Sequence, residues 1–150
     1  MINQIAMILA GMILCRAVYT DITDQKIENS LIIAGLLGGV LFSAIRDGPA
    51  GVWCSVKMVG IVFTALILLF VIKGLGAGDI KLFCVLAAFF PSDIIQIIMV
   101  SFFAGGILAL GKMLWRFVRK RVLYIRHETM NFTVPISIGT GLVMIQNFIR

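Results

Sequence analysis

The chain has 150 residues, of which 61% are hydrophobic and only 13% are charged, and it carries a net charge of +6 at pH 7. Its charged fraction is about half that of a typical soluble domain. A water-soluble domain of this length has too small an interior to bury so much apolar surface. The composition therefore excludes a soluble globular protein and predicts a single domain, residues 1–150, embedded in a membrane.

The positive charge is concentrated in one segment. Five of the 13 Lys and Arg residues lie between Arg116 and Arg126, in the segment RFVRKRVLYIR. A nucleic-acid-binding protein would also be basic, but a cluster between two apolar runs is typical of a cytoplasmic loop in a multi-span protein. We therefore predict contacts with membrane lipids, whose anionic headgroups attract such segments, and no nucleic acid partner.

The cysteines and the histidine give no support for a metal site. Cys15, Cys54 and Cys84 lie in apolar stretches without a CxxC spacing, and His127 is the only histidine. No second Cys or His stands at a metal-ligand spacing. The histidine also has no recognisable acid or nucleophile partner, so a Ser–His or Cys–His pair is not predicted. We expect neither a metal nor a cofactor.

Apolar runs predict an all-α, polytopic protein with about six membrane-spanning helices. In chain order they cover approximately residues 2–19, 30–45, 52–72, 79–90, 94–117 and 133–149. The first run lacks the basic start and small-residue cleavage site of a signal peptide, so we expect it to be a membrane helix. Several runs are shorter than the roughly 20 residues that a helix perpendicular to the membrane needs.

The basic segment also predicts the orientation of the helices. If the loop between the fifth and sixth runs is cytoplasmic, the loops after the first and third runs face the cytoplasm too, and both termini face outward. These two loops contain DITDQKIEN, residues 21–29, and KGLGAGD, residues 73–79. The two most polar short segments are therefore predicted to share one face of the membrane.

Asp79 stands directly at the start of the fourth apolar run. A carboxylate in the hydrocarbon costs on the order of 3 kcal/mol, so such residues are usually paired or functional. The predicted topology brings Asp21, Asp24 and Glu28 to the same face. Two adjoining carboxyl groups, one protonated and one ionised, activate water in aspartic proteases. The alternative is structural, because Asp is also a favoured N-cap residue of helices.

Glycines alternate in the segment before Asp79. Gly74, Gly76 and Gly78 allow backbone conformations that are closed to other residues, and they let a second backbone approach closely. The functional interpretation is access for an extended substrate. The structural interpretation is a flexible turn followed by a helix-packing face.

Three motifs resemble those of the type IV prepilin peptidase family. GAGD, residues 76–79, resembles the GxGD signature of intramembrane aspartic proteases. DITDQKIEN, residues 21–29, resembles the family's first motif, in which an Asp is followed by a basic and an apolar residue, then by Pro and Asn or Asp. VPISIGTG, residues 134–141, resembles the start of the family's last helix. The order and spacing resemble the short, methylase-free members that serve Tad-type pili.

The resemblance implies roles for individual residues. Asp21 and Asp79 would form the catalytic pair, sharing a proton and holding the attacking water, and Gly76 and Gly78 would admit the substrate strand. Asp24 is an alternative to Asp21 as the first catalytic residue, although the spacing of the motif favours Asp21.

The remaining positions of the first motif follow in order. Lys26 and Ile27 take the basic and apolar positions, and Asn29 takes the last one. Glu28 departs from the pattern, because the family usually has Pro there. A proline would restrict the backbone before the second helix, so the departure concerns the local geometry of the motif.

The resemblance implies a membrane aspartic endopeptidase of the bacterial inner membrane. Its substrate would be a prepilin or pseudopilin precursor with a short basic leader, a small residue, usually Gly, before the cleaved bond, and a following apolar helix. Cleavage would occur at the cytoplasmic face. Members that also methylate the new N-terminus carry an extra domain, often with paired CxxC motifs. This chain has neither, so we predict cleavage without methylation.

Two other functions stay open from the sequence. Presenilin-like GxGD proteases have a Tyr–Asp pair within one helix, whereas Thr20 separates Tyr19 from Asp21 here. A small multi-span transporter, or a scaffold for pilus or secretion assembly, would use the same acids as coupling sites or loop caps. The sequence determines neither the particular substrate nor the oligomeric state.

Overall fold

The computed structural model describes residues 2–24, 27–72, 74–118 and 132–149, and these residues form five helices and no strand. The helices are α1 (Ile2–Asp24), α2 (Asn29–Val71), α3 (Ala77–Phe89), α4 (Ile94–Val118) and α5 (Thr133–Ile149). This confirms the all-α prediction. By length and composition α1, α2 and α4 can each cross a membrane, whereas α5 is a shorter apolar helix.

The predicted count of six helices is not confirmed, because the second and third apolar runs follow each other without a loop in the element α2. This element has 43 residues and consists of two helical stretches that meet at Gly48, whose φ of 65° and ψ of −149° are not helical. Glycine adopts a positive φ without steric cost. Pro49 follows, and its fixed φ suits the first position of a new helical stretch. The reversal of the chain therefore needs almost no loop.

Hydrogen bonds show that α2 doubles back at this interruption. The Ser55 hydroxyl donates to the Ser43 hydroxyl oxygen at 2.7 Å, although twelve residues of straight helix would separate them by about 18 Å. The carbonyl oxygen of Ala88 lies within hydrogen-bond distance of both hydroxyls, 3.1 Å from Ser43 Oγ and 3.0 Å from Ser55 Oγ. We call residues 29–47 the first arm and residues 49–71 the second arm. The two arms lie side by side and hold the C-terminal end of α3.

Helix α3 occupies the centre of the molecule. Ten of its 13 residues are buried, and its main packing partner is α2. Glycines of the first arm allow this contact: a Cβ on Gly35 would lie 2.8 Å from Val85 Cγ1, and one on Gly39 would lie 2.7 Å from Ala88 Cβ. A helix that is apolar all round is expected to be enclosed by protein or lipid, and here it is enclosed by protein.

The other helices complete the bundle. Helices α4 and α5 pack as an antiparallel pair: the Gln96 amide donates to Gln146 Oε1 at 2.7 Å, and Phe132, directly before α5, packs on Gly105 in the middle of α4. Helix α1 packs on α5 and α2. Large apolar side chains cover the outer surface, for example Leu37, Phe103 and Leu142. Such a surface is suited to lipid, which supports a membrane protein.

Candidate active site

The two polar segments predicted to share one membrane face meet at one end of the bundle. Ile27, in the connection between α1 and α2, packs against Gly78 of α3. The Lys81 ammonium of α3 donates to Asn29 Oδ1, at the start of α2, at 2.8 Å. The C-terminal end of α1 and the N-terminal ends of α2, α3 and α5 therefore converge around Asp79.

Asp79 lies in the first turn of α3 and is 8% exposed. It is not the N-cap residue, contrary to the structural alternative: Gly76 is the N-cap, and its carbonyl accepts the first helical hydrogen bond from Ile80. The carboxylate instead turns back and accepts a hydrogen bond from the Gly76 backbone N–H. This is the N3 half of a capping box. A negative charge there is also favoured by the helix dipole.

Thr133 provides a second hydrogen bond to Asp79. Its hydroxyl donates to Asp79 Oδ1 at 3.3 Å, and the residue, the first of α5, is fully buried. Sequence reasoning missed this residue. The available signal was a hydroxyl side chain directly before the VPISIGTG motif, at the start of an apolar helix.

Asp21 lies in the last turns of α1, which continues beyond the predicted end of the first span. The hydroxyls of Thr20 and Thr23 extend the helix by donating to carbonyl oxygens one turn back, at 3.1 Å for Arg16 and 2.8 Å for Tyr19. Asp21 is half-buried, with its Oδ2 atom inaccessible to solvent.

The structure brings Asp21 and Asp79 together. Asp21 lies close enough to Asp79 for an electrostatic interaction between the two side chains, although the two residues belong to different helices. In aspartic proteases a pair of carboxyl groups holds one proton and polarises a water molecule. Asp24, the alternative first residue, ends α1. The Asp24 side chain lies outside the described residues, as does Lys26.

The glycines of the GAGD motif each make one close contact. A Cβ on Gly76 would lie 2.9 Å from Asp79 Oδ2, and one on Gly78 would lie 3.2 Å from Ile27 Cδ1. The backbone of Gly76, at φ −77° and ψ 150°, is accessible to any residue. Glycine at position 76 is therefore explained by the returning carboxylate of Asp79, and the role of the two glycines in admitting a substrate stays a prediction.

Glu28 preserves the backbone geometry that a proline would impose. It is the N-cap residue of α2, with φ −61° and ψ 128°, and proline fixes φ near this value. Its carboxylate is exposed and lies 3.8 Å from the Arg16 guanidinium. Such exposed ion pairs contribute about 0–1 kcal/mol. Glu28 therefore differs from the family's usual proline in its side chain, while its backbone conformation is one that proline could also adopt.

Within the described residues, no three His, Cys, Asp or Glu side chains are grouped so that they could hold a metal ion. Fold and site together define a helical membrane protein with an acidic pair at one end of its bundle. The family model of the type IV leader peptidases matches residues 7–110, which include both acids. The chain therefore belongs to the type IV leader peptidase family and is a peptidase. No curated protein and no solved structure matches it.

Proposed function

We propose that this peptidase is an aspartic endopeptidase that removes the short basic leader of prepilin-like precursors at the cytoplasmic face of the bacterial inner membrane. The proposal is supported by one observation above all, the meeting of Asp21 and Asp79 at the end of a bundle of family-matched helices. Both acids fall in the segments that resemble the family's two acidic motifs.

The proposed reaction is hydrolysis of one peptide bond by a water molecule held between the two carboxyl groups. The ionised acid takes a proton from the water as general base, while the protonated acid donates a hydrogen bond to the carbonyl oxygen of the peptide. The water oxygen adds to the carbonyl carbon; the tetrahedral intermediate then collapses with cleavage of its C–N bond, and the amine leaves with the proton that the base had taken from the water. Either acid can take either role in this mechanism, so the base and the acid are assigned to the pair and not to one residue.

The neighbours of Asp79 have a positioning role in this mechanism. Thr133 and the Gly76 N–H donate to its carboxylate from two sides, which fixes its orientation before the substrate arrives. Preorganised groups of this kind lower the barrier because no reorganisation is needed during the reaction.

The proposed substrate is a precursor whose basic leader lies in the cytoplasm and whose apolar helix lies in the membrane. The carboxyl groups of the acidic pair lie at this end of the bundle and would attract the basic leader. The absence of any CxxC spacing in the sequence supports release of a mature N-terminus that the enzyme does not methylate.

Coexpression with a candidate precursor, followed by gel shift of its leader, tests the proposal. We expect Asp21→Asn and Asp79→Asn to abolish cleavage, and Asp24→Asn to retain it. Asp47→Asn is the matched control, because Asp47 is exposed and pairs with its neighbour Arg46 at 2.7 Å, near the interruption of α2. Membrane levels of each variant are compared by immunoblot.

Each other result has a defined meaning. Loss of cleavage with Asp24→Asn in place of Asp21→Asn moves the first catalytic position three residues along the chain. If every variant still cleaves, the aspartic mechanism is wrong. That result would favour the alternative functions, in which the acids are coupling sites of a transporter or loop caps in an assembly scaffold.

A further inference from the structure

A groove separate from the acidic pair runs between the two arms of α2 and one face of α3. Its volume is about 560 Å³. The first arm contributes Ile32 and Leu36, and the second arm contributes Phe63. Lys81 and Cys84, three residues apart on α3, form the third wall. The lining is therefore almost wholly apolar.

The groove and the acidic pair lie on different sides of α3. Successive residues of a helix are rotated by about 100°, so the side chain of Lys81 points away from that of Asp79, two residues earlier. Asp79 faces Thr133 of α5, whereas Lys81 faces Asn29 of α2. An occupant of the groove would leave the site around Asp79 accessible.

The polar groups of the groove are confined to one end. Lys81 and Asn29 are hydrogen-bonded there, with 2.8 Å between Lys81 Nζ and Asn29 Oδ1. An ammonium has three N–H donors, so Lys81 can bind Asn29 and an anion together. The nearby carboxylate of Glu28 is paired with Arg16. The polar end of the groove therefore presents the Lys81 ammonium to an anion. The rest of the groove is lined by apolar side chains and can accommodate an apolar chain.

We propose that this groove binds an anionic phospholipid, with one acyl chain between the arms of α2 and α3 and the phosphate on Lys81. The volume falls in the range of small-molecule sites, about 300–1,000 Å³. A helix with its side chains is about 10–12 Å across, so the groove would hold little more than one helical turn. The size therefore favours an acyl chain over the apolar helix of a protein partner.

The proposal gives the lipid a structural effect on the enzyme. The acyl chain would contact both arms and α3, the helix that carries Asp79. A ligand that binds only the folded state stabilises that state in proportion to the logarithm of its concentration over Kd. Anionic lipid is therefore expected to raise the unfolding temperature of the protein more than zwitterionic lipid does.

Native mass spectrometry of the detergent-solubilised full chain tests the proposal, with dioleoylphosphatidylglycerol and dioleoylphosphatidylcholine as the probes. We expect the wild type to bind the anionic lipid about tenfold more tightly. A lysine at a membrane surface attracts anionic lipid, and partial enclosure in a groove strengthens this attraction. The assay does not require cleavage of any precursor, so its failure leaves the proposed peptidase function unaffected.

Two pairs of variants separate the groove from the general lipid surface. Gly60→Leu fills the groove, since nothing lies within 4 Å of a Cβ at this position, and Gly106→Leu makes the same change in open space on α4. Lys81→Gln removes the charge at the groove, and Lys57→Gln removes an exposed charge elsewhere on the second arm. We expect Gly60→Leu to bind both lipids more weakly than the wild type does, and Lys81→Gln to lose the preference for the anionic one.

Three results would overturn the proposal: equal affinity of the wild type for both lipids, binding by Gly60→Leu as tight as that of Gly106→Leu, or an unchanged preference in Lys81→Gln. If Gly60→Leu binds lipid normally but no longer cleaves a precursor, the groove holds the helix of the substrate.

Discussion

Asp79 is buried in the first turn of α3 and accepts hydrogen bonds from Thr133 and from the backbone of Gly76. A buried carboxylate is costly unless such donors stabilise it. The side-chain donor comes from the last helix of the bundle, so the orientation of this acid depends on how α5 packs against α3. Thr133 also lies beyond the family-matched residues 7–110.

Replacing Thr133 by Val keeps the shape of the side chain but removes its hydroxyl. A hydrogen bond to a charged group contributes about 1.5–3 kcal/mol, so we expect Thr133→Val to lower the initial rate of precursor cleavage roughly tenfold or more. Thr133→Ser retains the hydroxyl and should keep most of the activity. The rates are measured with purified protein, normalised to folded protein from a thermal melt. Equal rates for the Thr133→Val variant and the wild type would show that the hydrogen bond from Thr133 does not position Asp79.

At the scale of helices, close contacts between glycines of α2 and small residues of α3 set the position of the helix that carries Asp79. Gly39 approaches Ala88, whereas the preceding Gly38 has no atom nearer than Phe89 Cζ, at 3.6 Å from a built Cβ. The hydroxyls of Ser43 and Ser55 fix the same end of α3. These contacts hold α3 at the end opposite the acids.

Adjacent glycines provide a matched test of this packing. Gly39→Ala would place a Cβ 2.7 Å from Ala88 Cβ and 3.0 Å from its carbonyl carbon, and overpacking of this kind costs about 1–3 kcal/mol. We expect Gly39→Ala to lower the unfolding temperature in detergent. Gly38→Ala, with space for its methyl group and a better helix propensity, should leave it unchanged or raise it. Identical shifts for the two variants would contradict the observed packing.

Glu28 allows a test of the turn between α1 and α2. Its φ of −61° fits proline. Ile27, the residue before it, is not helical, which also suits a proline at position 28, because a proline disfavours the helical conformation in the residue that precedes it. We expect Glu28→Pro to stabilise the fold by about 0.4–1 kcal/mol, because it restricts the unfolded chain. Glu28→Ala controls for loss of the Arg16 ion pair and the weak 3.4 Å hydrogen bond from Ser30. If the proline variant is less stable than the alanine variant, the backbone of Glu28 does not have the proline-compatible conformation described here.

At the scale of the whole molecule, the exposed surface is apolar and the acidic pair lies at one end of the bundle. Composition and apolar runs predicted the helical membrane fold, and the position of the basic segment predicted that the two polar loops share one face of the membrane. The count of six is not confirmed, because helical hydrogen bonding resumes directly after Gly48 and joins the second and third apolar runs in α2. Thr133 and the groove were not predictable, since both arise from packing between helices distant in sequence.

The most direct test of the central claim is the initial rate at which purified protein cleaves a precursor, compared for Asp21→Asn, Asp79→Asn and the double variant. Residues that act as one catalytic unit have non-additive effects. We predict that each single substitution lowers the rate at least about 100-fold, the lower range for general acid–base catalysis, and that the double variant is no slower than either single variant. A single variant with the wild-type rate, or losses that multiply in the double variant, would contradict a shared carboxyl pair.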